Sequence, residues 1–313
     1  MTTDTGITEN TDPTTTGDVV PPSSQTADIA SGDIYLATGG QRIRIRYRRG
    51  IGIPLVLCNG IGASLEVLDP LVENLDPNRP VVRFDVPGTG ESPTSPLPYG
   101  FPYLAWVLGR VLDRLHIGVV DILGLSWGGA LAQQFAFQNP RRCRRLILVG
   151  TGTGAIMVPG SPKVLSKMLT PKRFSDPAYS AKIAGELYGG VVRNSGQDVA
   201  ELFIRQLHAG SFKGYVHQLM AGAVWTSLFA LPTIRQRTLI IAGTDDPIIP
   251  MVNARILKTG LPRPTLHVHD GGHIDLVMNA DTFGPVIDDF LGPAKPAKRN
   301  WRRTADVNLT PGG

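Results

Sequence analysis

Short apolar runs alternate with segments of helical periodicity along most of the chain. The runs that we predict to be strands lie at residues 41–48, 54–58, 80–86, 119–125, 145–149, 238–242 and 265–268. The predicted helices between them lie at residues 65–75, 102–115, 127–139, 252–258 and 281–291. This alternation predicts an α/β fold, with a mostly parallel sheet flanked by helices on both faces.

The alternation is interrupted between residues 155 and 232. Helical patterns continue there, at residues 162–169, 178–188, 199–207 and 215–228, without a clear strand run. We therefore predict a helical insertion at 155–232 in a core made of residues 32–154 and 233–291.

The two ends of the chain differ from the body in composition. Residues 1–31 hold five acidic side chains and no Lys or Arg, whereas residues 292–313 hold five basic side chains and one acidic one. Both segments are rich in Thr, Pro and Gly, so we expect an acidic N-terminal and a basic C-terminal disordered tail.

The bulk properties exclude several classes of function. The 313 residues are 42% hydrophobic and 18% charged with a net charge of +5, and no basic stripe interleaved with aromatics suggests nucleic-acid binding. No apolar leader segment begins the chain, and the longest uncharged run, 122–140, is interrupted by polar residues, so no membrane span is expected. We expect a cytoplasmic location, with Cys58 and Cys143 as buried thiols.

The run at 119–125 leads into a G-x-S-x-G motif, Gly124-Leu125-Ser126-Trp127-Gly128. A serine at a sharp strand-to-helix turn, with a glycine two residues away on each side, is the nucleophile elbow of α/β-hydrolases. The tight turn presents the Ser126 hydroxyl above the sheet edge. Ser126 is therefore the candidate nucleophile.

A serine nucleophile needs a base, and the base needs an orienting carboxylate. His273 follows two glycines in a loop just after the last predicted strand, which favours it as the base. In the loop after residues 238–242, Asp245 and Asp246 compete, and the family pattern G-x-x-D-x-x-x-P selects Asp246. The order Ser126, Asp246, His273 is typical of α/β-hydrolases.

The tetrahedral intermediate of acyl transfer needs two N–H donors for its oxyanion. We expect one from the backbone of Trp127, directly after the nucleophile. The other is expected from Ile61, in the loop that follows residues 54–58. Asn59 stands where this loop usually has a histidine, which alters the bracing of the loop but not the Ile61 amide.

Two other patterns are interpreted without a chemical role. His267 and His269 share a strand face, but no third ligand stands near them in sequence, so no metal site is expected. The D-x-x-G-x-G-x-S run that begins at Asp85 and ends at Ser92 is interpreted as a structural loop.

Beyond the superfamily, the chain resembles the intracellular depolymerases of medium-chain-length poly(3-hydroxyalkanoate). The matching stretches are CNGIGASLEVL, FDVPGTGES, YGFP, GLSWGGALAQQFA, PRRCRRLIL, GAIMVPGSPKVL, LYGG, AGAVWTS, AGTDDPIIP and DGGHIDL, collinear over residues 34–291. The resemblance implies an α/β-hydrolase fold whose lid, here residues 155–232, is inserted after the sixth strand.

The implied reaction is ester hydrolysis through an acyl-enzyme on Ser126, with no metal or organic cofactor. The expected partners are a polyester or small ester substrate and the surface of polymer granules, and the resemblance does not fix an oligomeric state. The apolar lid suits alkyl side chains of the polymer, and Met157 and Trp225 are the candidate substrate contacts. The alternatives are a carboxylesterase or lipase acting on small soluble esters and a non-catalytic hydrolase-like binding protein.

Overall fold

An eight-stranded sheet forms the centre of the protein, in a computed structural model that describes residues 32–170, 176–194 and 210–295. The strands are β1 (Asp33–Thr38), β2 (Gln41–Arg48), β3 (Leu55–Cys58), β4 (Val81–Phe84), β5 (Val120–Leu125), β6 (Cys143–Val149), β7 (Arg237–Gly243) and β8 (Pro264–His269). Their order in the sheet is β1-β2-β4-β3-β5-β6-β7-β8. Pairing is antiparallel from β1 to β2 and from β2 to β4, and parallel from there to β8.

Strand β1 is the one strand that the sequence patterns did not predict. It pairs with β2 along its whole length, from Asp33 opposite Arg46 to Thr38 opposite Gln41. Its burial alternates from Tyr35 to Thr38, with Leu36 and Thr38 buried and Tyr35 and Ala37 exposed, and as an edge strand it pairs on one side only. The central strands β3, β4 and β5 are buried throughout, as strands covered on both faces must be.

Helices flank the sheet on both faces, as predicted. The helices outside the insertion are α1 (Asp69–Glu73), α2 (Phe101–Arg114), α3 (Trp127–Gln138), α8 (Met251–Gly260), α9 (Asp275–Met278) and α10 (Ala280–Leu291). Successive residues of β5 point to opposite faces, so Ile122 joins the core under α2 and α3, and Leu123 joins the core under α1 and α10. The helix predicted at 65–75 is divided into a 3-10 turn, Leu65–Leu68, and α1.

The described residues between β6 and β7 form helices joined by loops, as predicted. They contain α4 (Pro162–Leu169), α5 (Pro177–Tyr188), α6 (Gly190–Asn194) and α7 (Phe212–Val224). The helix predicted at 199–207 and both predicted tails lie outside the described residues, apart from 292–295. Across the described helices, none combines the length and apolarity that crossing a bilayer requires.

The insertion lies over the carboxyl ends of the parallel strands. The amide of Ser211 donates to the Gly88 carbonyl after β4, at 3.1 Å, and the amide of His273 after β8 donates to the Tyr188 carbonyl, at 2.8 Å. Since loops at this edge carry the binding groups of α/β sheets, the insertion covers the place where a site is expected.

Candidate active site

Ser126 occupies a strained turn between β5 and α3. Its φ of 54° and ψ of −118° lie outside the regions that serine readily adopts. Three hydrogen bonds hold the turn: its amide donates to Val149 at 2.8 Å, and its carbonyl accepts from the Gly129 amide at 2.9 Å and the Thr151 hydroxyl at 2.8 Å. The surrounding structure thus maintains a conformation that exposes the hydroxyl.

Gly124 and Gly128 of the motif must lack a side chain, because the backbone of neighbouring segments approaches each of them closely. A Cβ on Gly128 would overlap the carbonyl groups of Cys58 and Asn59. A Cβ on Gly124 would overlap the first turn of α3, at Gly128 and Gly129. Glycine at both positions lets α3 begin directly above the end of β5.

His273 joins the serine to a buried carboxylate. Its Nε2 lies 2.8 Å from Ser126 Oγ, and its Nδ1 lies 2.7 Å from Asp246 Oδ2. The other carboxylate oxygen of Asp246 accepts the amides of Ile248 and Ile249, each at 2.9 Å. Because an ionised carboxylate only accepts, this arrangement protonates Nδ1 and leaves Nε2 free to accept the Ser126 hydroxyl proton.

The neighbouring carboxylate, Asp245, points away from His273. It accepts the amide of Gly190 at 2.7 Å and pairs with Arg193 at 2.7 Å. These contacts lower the pKa of the Asp245 carboxyl, the Gly190 amide most of all. Asp245 therefore fastens α6 to the loop after β7, while Asp246 faces the histidine.

The backbone amides of Ile61 and Trp127, both near Ser126, have no hydrogen-bond acceptor among the described residues. Ile61 lies in a turn closed by the Ala63 amide, which donates to the Gly60 carbonyl at 3.2 Å. A trans peptide directs its N–H opposite to its carbonyl, so this bond turns the Ile61 N–H away from the interior of the turn. Trp127 opens α3, where the first N–H groups have no helical partner.

The loop that carries Ile61 is braced on both sides. The Asn59 side chain accepts the Gly60 amide at 2.9 Å and donates to the Ser64 carbonyl at 2.6 Å. On the other side, Gln218 of α7 accepts the Gly62 amide at 3.0 Å. Sequence reasoning missed Gln218, because a lone glutamine within a helical pattern carries no motif.

Comparison with known proteins agrees with this geometry. A family model described as alpha/beta hydrolase fold matches residues 53–280. The chain belongs to the α/β-hydrolase family. The predicted fold class is thereby confirmed, including its mostly parallel sheet.

A curated relative places the chain more narrowly in this α/β-hydrolase family. This chain is 47% identical over 238 residues to the poly(3-hydroxyalkanoate) depolymerase of Ectopseudomonas oleovorans, and the match covers 76% of this chain and 84% of that enzyme. It is also 29% identical to the 2-hydroxy-6-oxo-2,4-heptadienoate hydrolase of Pseudomonas putida, covering 77% of this chain and 90% of that enzyme. The predicted resemblance to poly(3-hydroxyalkanoate) depolymerases is confirmed.

Solved structures share the α/β-hydrolase fold. The enol-lactonase from Burkholderia xenovorans LB400 superposes with a TM-score of 0.72 at 24% identity, covering 82% of this chain and 99% of that one. A hydrolase from Pseudomonas aeruginosa PA01 superposes with a TM-score of 0.73 at 24% identity, covering 84% of this chain and all of that one.

An apolar cavity of about 510 Å³ opens onto Ser126 in this hydrolase. Residues of the core and of the insertion line it, among them Phe101, Trp127, Met157, Leu165 and Trp225. Met157 and Trp225, the two residues proposed from sequence to contact substrate, thus share one cavity with the serine. The Trp225 indole N–H donates to Gln134 at 2.6 Å, and the centre of its ring lies 5.0 Å from that of Phe101.

The other histidines of the described residues have different surroundings. His267 and His269 of β8 approach the ring of Phe283, with centroid distances of 6.3 and 4.8 Å. His217 is buried on α7 beside Tyr99, and His116 follows α2 with a φ of 55°. His208 lies outside the described residues.

Proposed function

We propose that this protein is a serine hydrolase that cleaves the ester bonds of poly(3-hydroxyalkanoate) through a Ser126–His273–Asp246 acyl-enzyme mechanism. The observation that carries the proposal is the continuous hydrogen-bond path from Asp246 through His273 to the Ser126 hydroxyl. A free serine hydroxyl is a weak nucleophile near neutral pH, and this path supplies the base that activates it.

The first half of the proposed reaction forms the acyl-enzyme. His273 Nε2 takes the proton as Ser126 Oγ attacks the ester carbonyl carbon, and the carbonyl oxygen becomes an oxyanion. The free amides of Ile61 and Trp127 donate to that oxyanion. When the tetrahedral intermediate collapses, the C–O bond to the leaving chain breaks, and His273 gives its proton to the departing hydroxyl oxygen.

The second half releases the acyl group with water. His273 removes a proton from the water, whose oxygen attacks the acyl carbon, and the proton then returns to Ser126 Oγ. Asp246 stabilises the imidazolium that forms in both halves through its buried negative charge. The general acid–base steps are expected to contribute about 10²–10⁴-fold, and each oxyanion donor about 10²–10³-fold. The steps need no metal or organic cofactor.

The proposed substrate class rests on the depolymerase relative and on the cavity. A lining that includes Phe101, Leu165 and Trp225 offers a nonpolar environment to alkyl side chains, and about 510 Å³ accommodates chains of medium length. We assign contacts with the alkyl chain to Met157 and Trp225.

We further propose that the protein works in the cytoplasm on the surface of polymer granules. Large apolar side chains next to cavity-lining residues are exposed, with Val224 83% and Ile156 48% exposed. Ile156, Val158 and Val224 directly adjoin cavity-lining residues in sequence. Exposed apolar side chains beside the cavity would pack against the apolar surface of a polymer granule.

The test is hydrolysis of polymers of graded side-chain length by the wild type and by Ser126→Ala, with products identified by mass spectrometry. We expect release of 3-hydroxyacids or their oligomers by the wild type, and loss of turnover with retained fold in the variant. Turnover of p-nitrophenyl esters without any release from polymer would favour the alternative, an esterase of small soluble esters. Binding of ligand without turnover of either class would favour a non-catalytic binding protein.

A further inference from the structure

We propose that Gln218, in helix α7 of the insertion, is a positioning residue that holds both oxyanion donors in place. The inference rests on the proposed function, because it concerns the amides of Ile61 and Trp127 assigned there. Gln218 has two separate contacts, one through its side chain and one through its backbone, and each reaches one of the two donor segments.

The side-chain contact fixes the loop of Ile61. Gln218 Oε1 accepts the amide of Gly62, the residue directly after Ile61, at 3.0 Å. Gly62 has a φ of 73°, a left-handed conformation that glycine adopts readily and that lets the chain turn sharply. The hydrogen bond to Gln218 stabilises this turn. With Gly60 held by Asn59 on the other side, the peptide that carries the Ile61 N–H is fixed at both ends.

The backbone contact fixes the second donor. The indole Nε1–H of Trp127 donates to the Gln218 carbonyl at 2.9 Å, and the ring packs against Phe101 with a centroid distance of 4.6 Å. The Trp127 side chain is thereby held at its far end, and its backbone amide directly follows Ser126. One residue of α7 thus connects the two strand-end loops between which the oxyanion would form.

Gln218 is also built to be rigid. Its exposed fraction is 0%, and its Nε2 donates back to the Gly214 carbonyl of its own helix at 3.4 Å. That bond sets the side-chain amide so that Oε1, rather than Nε2, faces Gly62. Oxyanion donors are effective only where they are held in place before the reaction begins. A buried side-chain amide of fixed orientation, such as that of Gln218, can hold them in this way.

The experiment compares Gln218→Met and Trp127→Phe with the wild type on a soluble p-nitrophenyl ester. Methionine keeps the length of the side chain but does not accept the Gly62 amide as a carbonyl does. Phenylalanine keeps the ring and removes the indole N–H. We expect kcat to fall about 10- to 100-fold in each variant, with KM changed less than about threefold, because the oxyanion exists only in the transition state.

Binding of an alkyl boronic acid gives a second measurement. Its adduct with Ser126 is tetrahedral, so its affinity should fall in parallel with kcat/KM. The matched control is Gln236→Met, which removes another buried glutamine, bonded to the Ala136 carbonyl at 3.1 Å beyond the far end of α3. The control should lower Tm and leave kcat unchanged.

The results separate this inference from the proposed function. A kcat and a boronate affinity within threefold of wild type in both folded variants would refute the positioning role, whatever the substrate. If Gln218→Met does not fold, the kcat and the boronate affinity of Trp127→Phe alone decide whether the positioning role holds. A wild type that cleaves the soluble ester but no polyester overturns the proposed substrate, and the effect of Gln218 on the ester remains measurable.

Discussion

Asp246 Oδ2 lies 2.7 Å from His273 Nδ1, and both side chains are almost completely buried. Asp246 therefore fixes the imidazole tautomer and places a negative charge beside the proton that the imidazole gains. Asp246→Asn keeps the shape but allows the amide to donate to Nδ1, which places the proton on Nε2 and blocks its role as base. We expect kcat to fall about 10³–10⁴-fold, measured on a soluble ester.

The adjacent Asp245→Asn is the matched control. Asp245 binds Gly190 and Arg193, so its loss should weaken the attachment of α6 by about 1 kcal/mol and lower Tm, with kcat reduced less than about fivefold. If Asp245→Asn were the inactive variant and Asp246→Asn the active one, the assignment of the orienting carboxylate would be reversed.

A substitution at Gly128 tests the close approach of α3 to the loop after β3. Gly128→Ala places a methyl group against the Cys58 and Asn59 carbonyls. The backbone of α3 or of the loop after β3 must shift to make room for it. We expect a loss of about 3 kcal/mol or more in the free energy of unfolding, measured by urea denaturation.

Gly109→Ala is the corresponding control within α2. The nearest atom to its added Cβ is the Arg142 Nη1, at 3.7 Å, which is an ordinary contact. Because alanine favours a helix interior over glycine, we expect a gain of about 0.5–1 kcal/mol. Equal destabilisation by both substitutions would argue against a steric cause at Gly128.

The carboxyl of Asp85 introduces a pH dependence of stability. Burial raises its pKa from 3.8 to about 6, although the amides of Glu91 and Leu65 and the Arg44 guanidinium oppose that rise. A raised pKa in the folded state means that the folded protein binds this proton more tightly than the unfolded chain. The resulting stabilisation is fully present below pH 3.8 and is lost as the pH rises through 6.

The comparison with Asp85→Asn isolates this contribution from those of the other titrating groups. We expect the unfolding free energy of the wild type, minus that of the variant, to fall by on the order of 2 kcal/mol between pH 4 and pH 7. Urea denaturation at several pH values gives the measurement. A difference that does not change with pH, or that rises, would contradict the raised pKa.

The proposed granule contact predicts selective loss of particle binding. Val224→Ser and Ile156→Ser remove exposed apolar groups next to cavity-lining residues, so the fraction of protein that sediments with polymer granules should fall several-fold. Ile51→Ser is the matched control, since Ile51 is 47% exposed but follows β2 and precedes the amino end of β3, away from the cavity. Equal losses in all three variants would indicate general adhesion instead.

Local sequence signals predicted the elbow well, because a strained turn at Ser126 permits only glycine where α3 approaches β5. The spacing of Asp246 from Gly243 and Pro250 favoured it over Asp245, and in the structure Asp246 lies beside His273 whereas Asp245 binds Gly190 and Arg193. Strand β1 was missed although four of its six residues are apolar, because so short a run becomes a strand through its pairing with β2, which local patterns do not show.

Contacts between distant segments were beyond the reach of these patterns. Gln218 and Gly62 are 156 positions apart, and nothing local marks a glutamine that accepts a remote amide. The same holds for the Tyr188 carbonyl, which receives the amide of His273. Periodicity predicted that the insertion is helical, whereas its bonds to the catalytic loops depend on tertiary packing alone.

These bonds from Tyr188 and Gln218 make the insertion part of the frame that holds His273 and the Ile61 loop. A chimera that received this segment from another hydrolase would inherit a new pocket and would also lose supports of the histidine and of the Ile61 loop. Substrate range and turnover therefore cannot be exchanged independently in this protein. Re-engineering for another polyester should begin with single cavity-lining residues such as Met157, which leave those supports in place.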